Sequence, residues 1–303
     1  KKIVIALMLV LTVALFVGAF TTVSFAADQA ANITDAPLTS GRTFKEGEGL
    51  HVSADLKSMP KTYEAVVYVP STSAIGTIFG NYLNADTPSF NFLINSSGKP
   101  YLHITDQNGN QLKKAFNYSI SENHPDSWVH VAITHTVTSS GSSFVCYVNG
   151  ESVATASYSV KYELDMTLLQ HAVTPYIGQD FRPTTNFKGR IKNIAIYSEP
   201  LSAEQVAASF NNGIDTSISS LMLCYDLTDA EGKNEIQDLS GNGYDVNPVF
   251  FERDTSVEDY DYSFAVVGDT QFLAYHDVYN GTEYFSAIYD WIVKNKGDKK
   301  IER

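Results

Sequence analysis

The chain of 303 residues carries 21 basic and 34 acidic side chains, a formal net charge of −13. That balance excludes partners bound through clustered Lys and Arg, namely nucleic acid and anionic membrane surfaces. Charged residues make up only 18% of the chain, and Ser, Thr, Asn and Tyr are abundant, a composition that fits an extracellular β-rich surface.

Lys1-Lys2 leads into an uninterrupted run of apolar, small and threonine residues, Ile3 to Ala19. Ser24-Phe25-Ala26 then presents the small-x-small pattern read by signal peptidase. Residues 1–26 are therefore expected to be an export signal cut after Ala26, with the remainder secreted or held at the cell surface. The run also approaches the length that spans a bilayer, so retention as a membrane anchor is the alternative. Residues 27–48 are polar and read as a linker, and no second apolar run of that length follows, so no stable membrane span is expected once the signal is cleaved.

From residue 49 to residue 250 short apolar runs alternate with turn-rich polar ones, the pattern of an antiparallel β-sandwich. The runs are Tyr63 to Val69, Phe90 to Ile94, Tyr101 to Thr105, Trp128 to Thr134, Phe144 to Val148 and Ser152 to Ala156. In Trp128 to Thr134 a period of two puts Val129, Val131 and Ile133 on one face and Trp128, His130 and Ala132 on the other. Asn149-Gly150 reads as a hairpin turn, since both central positions of such a turn need positive φ. In Gly189 to Tyr197 the apolar positions switch parity between Ile191 and Ile194, which a bulge near Lys192-Asn193 would absorb.

A helix is expected from Ser202, where Ser202 and Gln205 form a capping box. Val206, Ala207 and Phe210 supply its apolar stripe, and Asn211-Asn212-Gly213 ends it. A strand-like segment, Leu221 to Leu227, and a glycine-rich loop, Asp238 to Asp245, come next. Cys146 and Cys224 each lie within a strand-like run and read as buried free thiols, with a disulfide between the two strands as the alternative.

Trp128-Val129-His130-Val131-Ala132, Phe144 to Gly150, Tyr176-Ile177-Gly178-Gln179, Phe187 to Tyr197 and Leu201 to Val206 together resemble a concanavalin A-like, laminin G-type jelly roll in order and spacing. The resemblance implies an all-β fold and binding of glycans or extracellular proteins, in some members through calcium at the rim. Asp180, Asp238 and Asn242 are the candidate calcium ligands by loop position, calcium needing six to eight hard oxygens. In such domains a strand and loop like Leu221 to Gly243 usually come first. Here they follow the helix, so either the sandwich is circularly permuted, the favoured reading, or a second copy begins and is cut short.

Residues 251–261 form a short acidic connector, and residues 262–303 open with an apolar strand that runs into Gly268-Asp269-Thr270-Gln271. This stretch is similar to the first motif of calcineurin-like metallophosphoesterases, an α/β domain of which only the N-terminal start would be present. The resemblance implies Asp269 and Gln271 as metal ligands in a two-metal site of iron, manganese or zinc that activates water against a phosphate ester. His276 and Asp277 lie off the motif positions and read as surface residues.

Three functions follow as expectations. The first is an N-terminal fragment of a secreted, modular metal-dependent phosphoesterase, inactive by itself, whose jelly roll binds glycan or protein. The alternative is a secreted carbohydrate- or protein-binding module without catalysis. A glycoside hydrolase on the same sandwich ranks last, because it needs two convergent carboxylates and no strand carries such an inward-facing pair.

Overall fold

Alternation of apolar and polar positions along the chain builds two antiparallel sheets, each with one face turned toward the other. The computed structural model describes residues 37, 39–52, 56–71, 76–82, 87–167, 175–180, 185–233 and 235–250. In chain order the strands are β1 (Glu48–Val52), β2 (Thr62–Val69), β3 (Gly76–Gly80), β4 (Ser89–Ile94), β5 (Pro100–Thr105), β6 (Gln111–Ala115), β7 (Ser127–Thr138), β8 (Gly141–Val148), β9 (Glu151–Tyr158), β10 (Tyr176–Ile177), β11 (Arg190–Tyr197), β12 (Leu221–Asp226) and β13 (Val246–Phe250). Two helices interrupt them, α1 (Ile120–Asn123) and α2 (Ala203–Asn212). The seven-stranded sheet runs β13-β1-β10-β3-β4-β5-β6, and the six-stranded sheet runs β12-β11-β2-β7-β8-β9.

The core lies between the sheets. Val129, Val131 and Ile133 of β7 face it, as their period of two predicts, and they meet Phe79, Phe90 and Phe92 from the opposite sheet in one buried cluster. The Tyr63 ring packs against Phe90 and Phe92, with centroids 5.9 and 6.0 Å apart. Each such fully buried side chain contributes about 1.5–3 kcal/mol relative to exposure. The β8–β9 turn is Asn149-Gly150 with φ of 50° and 79°, and the bulge in β11 falls between Ile191 and Asn193, both as the sequence predicts.

Helix α2 closes the outer face of the six-stranded sheet. Its capping box is formed by Ser202 and Gln205. Val206 and Leu201 pack on Ala132, Tyr147, Ala195, Tyr197, Leu221 and Cys224, while Phe210 packs on Val66 and Trp128. Cys146 is part of the inter-sheet core and Cys224 is part of the cluster under α2. With β11, β2 and β7 between their strands, both thiols are free and buried, and the disulfide alternative is excluded.

The segment after α2 completes this same sandwich. β12 pairs with β11 at one edge, and β13 pairs with β1 at an edge of the other sheet. The second-copy reading therefore fails for these residues. The stretch read as a linker up to residue 48 also differs. Arg42 bridges Ile191 through its backbone, Phe44 is buried in the core, and β1 begins at Glu48. A linker has no apolar anchor, whereas this stretch carries Phe44.

The sequence readings at 1–26, 251–261 and 262–303 lie outside the described residues, and with them the expected α/β segment. Within the described residues every strand pairing is antiparallel.

Candidate functional site

The two outer faces of the sandwich differ in what covers them. Helix α2 and the segment after it, through Ile214 and Ile218, cover that of the six-stranded sheet. No helix among the described residues packs on the seven-stranded one.

Strand register lines up one continuous row across the outer face of the seven-stranded sheet. Lys113 of β6 opposes His103 of β5, which opposes Asn91 of β4, which opposes Gly80 of β3. Gly80 opposes Tyr176 of β10, which opposes His51 of β1. The row spans six strands, about 24 Å at ordinary strand spacing. Its members sit on the outer face because their strand neighbours, among them Leu50, Ile177, Phe79, Phe90, Phe92, Leu102, Ile104 and Leu112, face the core.

Aromatic and imidazole rings pair on this face. His51 lies 5.0 Å from the Tyr176 ring, and Tyr82 lies 4.7 Å from the His103 ring. Burial lowers the pKa of His51, favouring the neutral imidazole. His103 Nε2 is 3.0 Å from Thr105 Oγ1. Thr105 in turn opposes Ser89 and Gln111 in the adjacent row.

Gly80 at the centre of the row makes room for Asn91. A Cβ at that position would stand 2.4 Å from Asn91 Oδ1 and 2.8 Å from the Phe90 carbonyl oxygen. The Asn91 amide donates from Nδ2 to Asp180 Oδ2 at 3.0 Å and to Thr77 Oγ1 at 3.2 Å. Thr185 donates to Asp180 Oδ1 at 2.6 Å and Thr77 to Asp180 Oδ2 at 3.3 Å. Gln179, next to Asp180, lies against β1, since a Cβ at Gly49 would come within 3.3 Å of its own Cβ.

Four side-chain atoms in this region are buried without a hydrogen-bond partner: Ser89 Oγ, Asn91 Oδ1, and Oε1 and Nε2 of Gln179. Their residues are 0%, 1% and 0% exposed. A buried polar group left unmade costs about 1–3 kcal/mol, so a cluster of them calls for an explanation. The six-stranded sheet likewise buries unpartnered atoms, Glu64 Oε2 and His130 Nδ1 among them, with Glu64 Oε1 2.6 Å from His130 Nε2, beneath α2.

The residues named from sequence separate. Asp180 belongs to the outer face of the seven-stranded sheet. Asp238 and Asn242 belong to the loop that staples β12: Asp238 Oδ1 accepts from the backbone N–H of Cys224 and of Ser240, and Oδ2 from the Ser240 hydroxyl and the Tyr244 N–H. Asn242 Nδ2 donates to the carbonyls of Leu221 and Met222. Both carboxylates accept from the protein's own donors, Asp180 on the outer face of the seven-stranded sheet and Asp238 beneath β12. Asp269 and Gln271 lie outside the described residues. Ser89, Asn91 and His103 are not singled out by the sequence, and Tyr176 and Gln179 enter it only as part of the jelly-roll pattern. The available signal was parity, as in Phe90-Asn91-Phe92, where a lone amide points away from two core rings.

Comparison with known proteins agrees with this architecture. The family Laminin_G_3, described as the Concanavalin A-like lectin/glucanases superfamily, matches residues 26–207. No curated protein matches the chain. Among solved structures, a candidate carbohydrate-binding protein of Bacteroides ovatus superimposes with a TM-score of 0.50 at 19% identity, covering 69% of this chain and 57% of that one. The CBM40 of the Ruminococcus gnavus IT-sialidase gives a TM-score of 0.43 at 17% identity, covering 56% of this chain and 96% of that one. The heptameric SAP-like pentraxin of Limulus polyphemus gives 0.39 at 16% identity, covering 56% and 80%. At such identities the likeness is one of fold.

The expectation of a phosphoesterase fragment, with its hydrolase and metal-binding character, is overturned by these findings. The matched family is lectin-like, and the described sheets are antiparallel sheets of a jelly roll rather than a parallel sheet with a metal crevice at its carboxyl edge. Among the described residues no three His, Cys, Asp or Glu side chains are grouped to hold a metal. Nor is any helix among them long and apolar enough to cross a membrane.

Proposed function

The chain belongs to the concanavalin A-like lectin/glucanases superfamily, and from that premise we propose that it is a non-catalytic binding module whose ligand is a glycan, held on the outer face of the seven-stranded sheet. The observation that carries this reading is the cluster of buried, unpartnered Ser89 Oγ, Asn91 Oδ1 and Gln179 amide atoms on the face against which no helix among the described residues packs. Sugars offer hydroxyls as both donors and acceptors, and an apolar ring face that suits aromatic side chains such as Tyr82 and Tyr176. Few polar groups fixed among aromatic rings are the usual furniture of a small-ligand site.

The unpartnered atoms are closed to solvent, so binding in this reading is coupled to a local opening. The export expected from residues 1–26 would bring such a module to extracellular glycans. The test is a glycan array on the purified chain, followed by calorimetry on the hits. Selective binding is expected, weakened about tenfold, or about 1.4 kcal/mol, by Tyr82→Ala, whose ring is only half-buried. A flat array, or hits indifferent to Tyr82, defeats the proposal.

A further inference from the structure

We infer that the glycan held on this face is a neutral, hydroxyl-rich sugar and not an acidic one; this rests on the binding reading above and specifies its ligand.

The unfilled hydrogen-bonding capacity of the site sets the chemistry. Asn91 Oδ1 and Gln179 Oε1 accept only, Gln179 Nε2 donates only, and the Ser89 hydroxyl does both. The ligand groups that meet the two amide oxygens must therefore be donors. A sugar hydroxyl is one, whereas a carboxylate or a sulfate ester is an acceptor and meets those oxygens with repulsion. A hydroxyl also accepts, so neighbouring hydroxyls of one ring serve Asn91 Oδ1 and the Gln179 or Ser89 donor together.

Burial sharpens the choice. Ser89, Asn91 and Gln179 are at most 1% exposed, where an anion is costly unless a cation or several donors meet it, and the buried Asp180 carboxyl group already takes the donors of Asn91, Thr77 and Thr185. The side chains that carry the unfilled capacity are all neutral. Lys113, the ammonium in the same row, is exposed and stands two strands away from Asn91, beyond His103. The chain's net charge of −13 opposes the approach of anions as well.

Isothermal titration against matched probes tests this. The neutral set is lactose, cellobiose, maltotriose, mannobiose and N-acetyllactosamine; the acidic set is sialyllactose, oligogalacturonate and cellobiuronic acid. At least one neutral probe is expected to bind, at least tenfold more tightly than every acidic one. An acidic probe that binds as tightly or more tightly overturns the inference while leaving a glycan-binding face. Failure of every probe in both sets defeats the binding reading and the inference together.

Ser89→Ala supplies the second readout. Ser89 Oγ makes no hydrogen bond within the protein, so its removal is expected to leave the melting temperature unchanged or raised while weakening the neutral ligand about tenfold, the worth of roughly one hydrogen bond. Unchanged affinity in a folded Ser89→Ala overturns the assignment of the free atoms to the ligand.

Discussion

Among the described residues His135 carries the clearest pH dependence. Its ring stacks on Phe144 at 4.3 Å, and Nε2 lies 3.1 Å from Ser142 Oγ. Ser142 Oγ also accepts from the Tyr162 N–H, and the direction of its bond to His135 follows the tautomer of the ring. Burial, followed by the charge of Lys61, lowers the pKa from 6.5 to about 4. A depressed folded-state pKa means that protons bind the unfolded chain first. The stability from neutral His135 is therefore complete above about pH 6.5 and lost as pH falls through about 4, amounting to about 3 kcal/mol at the acid end. Urea unfolding across that window should show a steep loss of stability in the native protein and a shallower one in His135→Phe. Equal slopes would mean that His135 is already protonated in the fold.

At the scale of single elements, α2 covers the outer face of the six-stranded sheet, and a capping box fixes its N-terminus. Ser202 Oγ accepts from the Gln205 N–H at 3.2 Å, and Gln205 Oε1 accepts from the Ser202 N–H at 2.9 Å. Ser202→Ala should cost about 1 kcal/mol, seen as faster amide exchange through α2 with β2 and β7 unaffected. Uniform loss of protection would show that α2 and the sheet open as one unit. This cap was legible in the sequence because both partners lie within four residues, as were the Asn149-Gly150 turn, the β11 bulge and the strands with strong alternation. β1, β3, β6, β10 and β13 went unread, being at most five residues long. The two-residue β10 owes its place to pairing with β1 and β3, which local propensity does not encode. The candidate site was hidden for the same reason. Asp180 was noticed as a loop carboxylate, but the row from His51 to Lys113 exists only once β1, β10 and β3 are in register, across more than a hundred residues of sequence for the His51–Tyr176 pair. Asp269, by contrast, drew attention through a short motif that carries little information when it stands alone.

At the largest scale, arginines tie the first described residues to β11 and to the segment that follows β12. Arg42 donates to Glu48 at 2.7 Å, to the Ala230 carbonyl at 2.8 Å and to the Lys233 carbonyl at 3.0 Å. Arg190 donates to the carbonyls of Thr39, Ser40 and Gly41, and Thr43 binds Glu231 through its backbone and its hydroxyl. Arg42→Ala leaves the Glu48 carboxylate buried without its cation, and should cost about 3–5 kcal/mol. A lower urea midpoint at unchanged m-value is expected, and a loss below 1 kcal/mol would place the pair among surface bridges instead. The antiparallel register sets Glu48, where β1 begins, opposite Phe250, where β13 ends. The start of β1 and the end of β13 thus lie side by side on neighbouring strands. Tension applied to those two ends pulls β1 and β13 apart like the sides of a zipper, so their hydrogen bonds bear the load one after another rather than all at once. That ladder is mechanically soft when pulled from this end, whereas the Arg42 contacts upstream of β1 lie outside it.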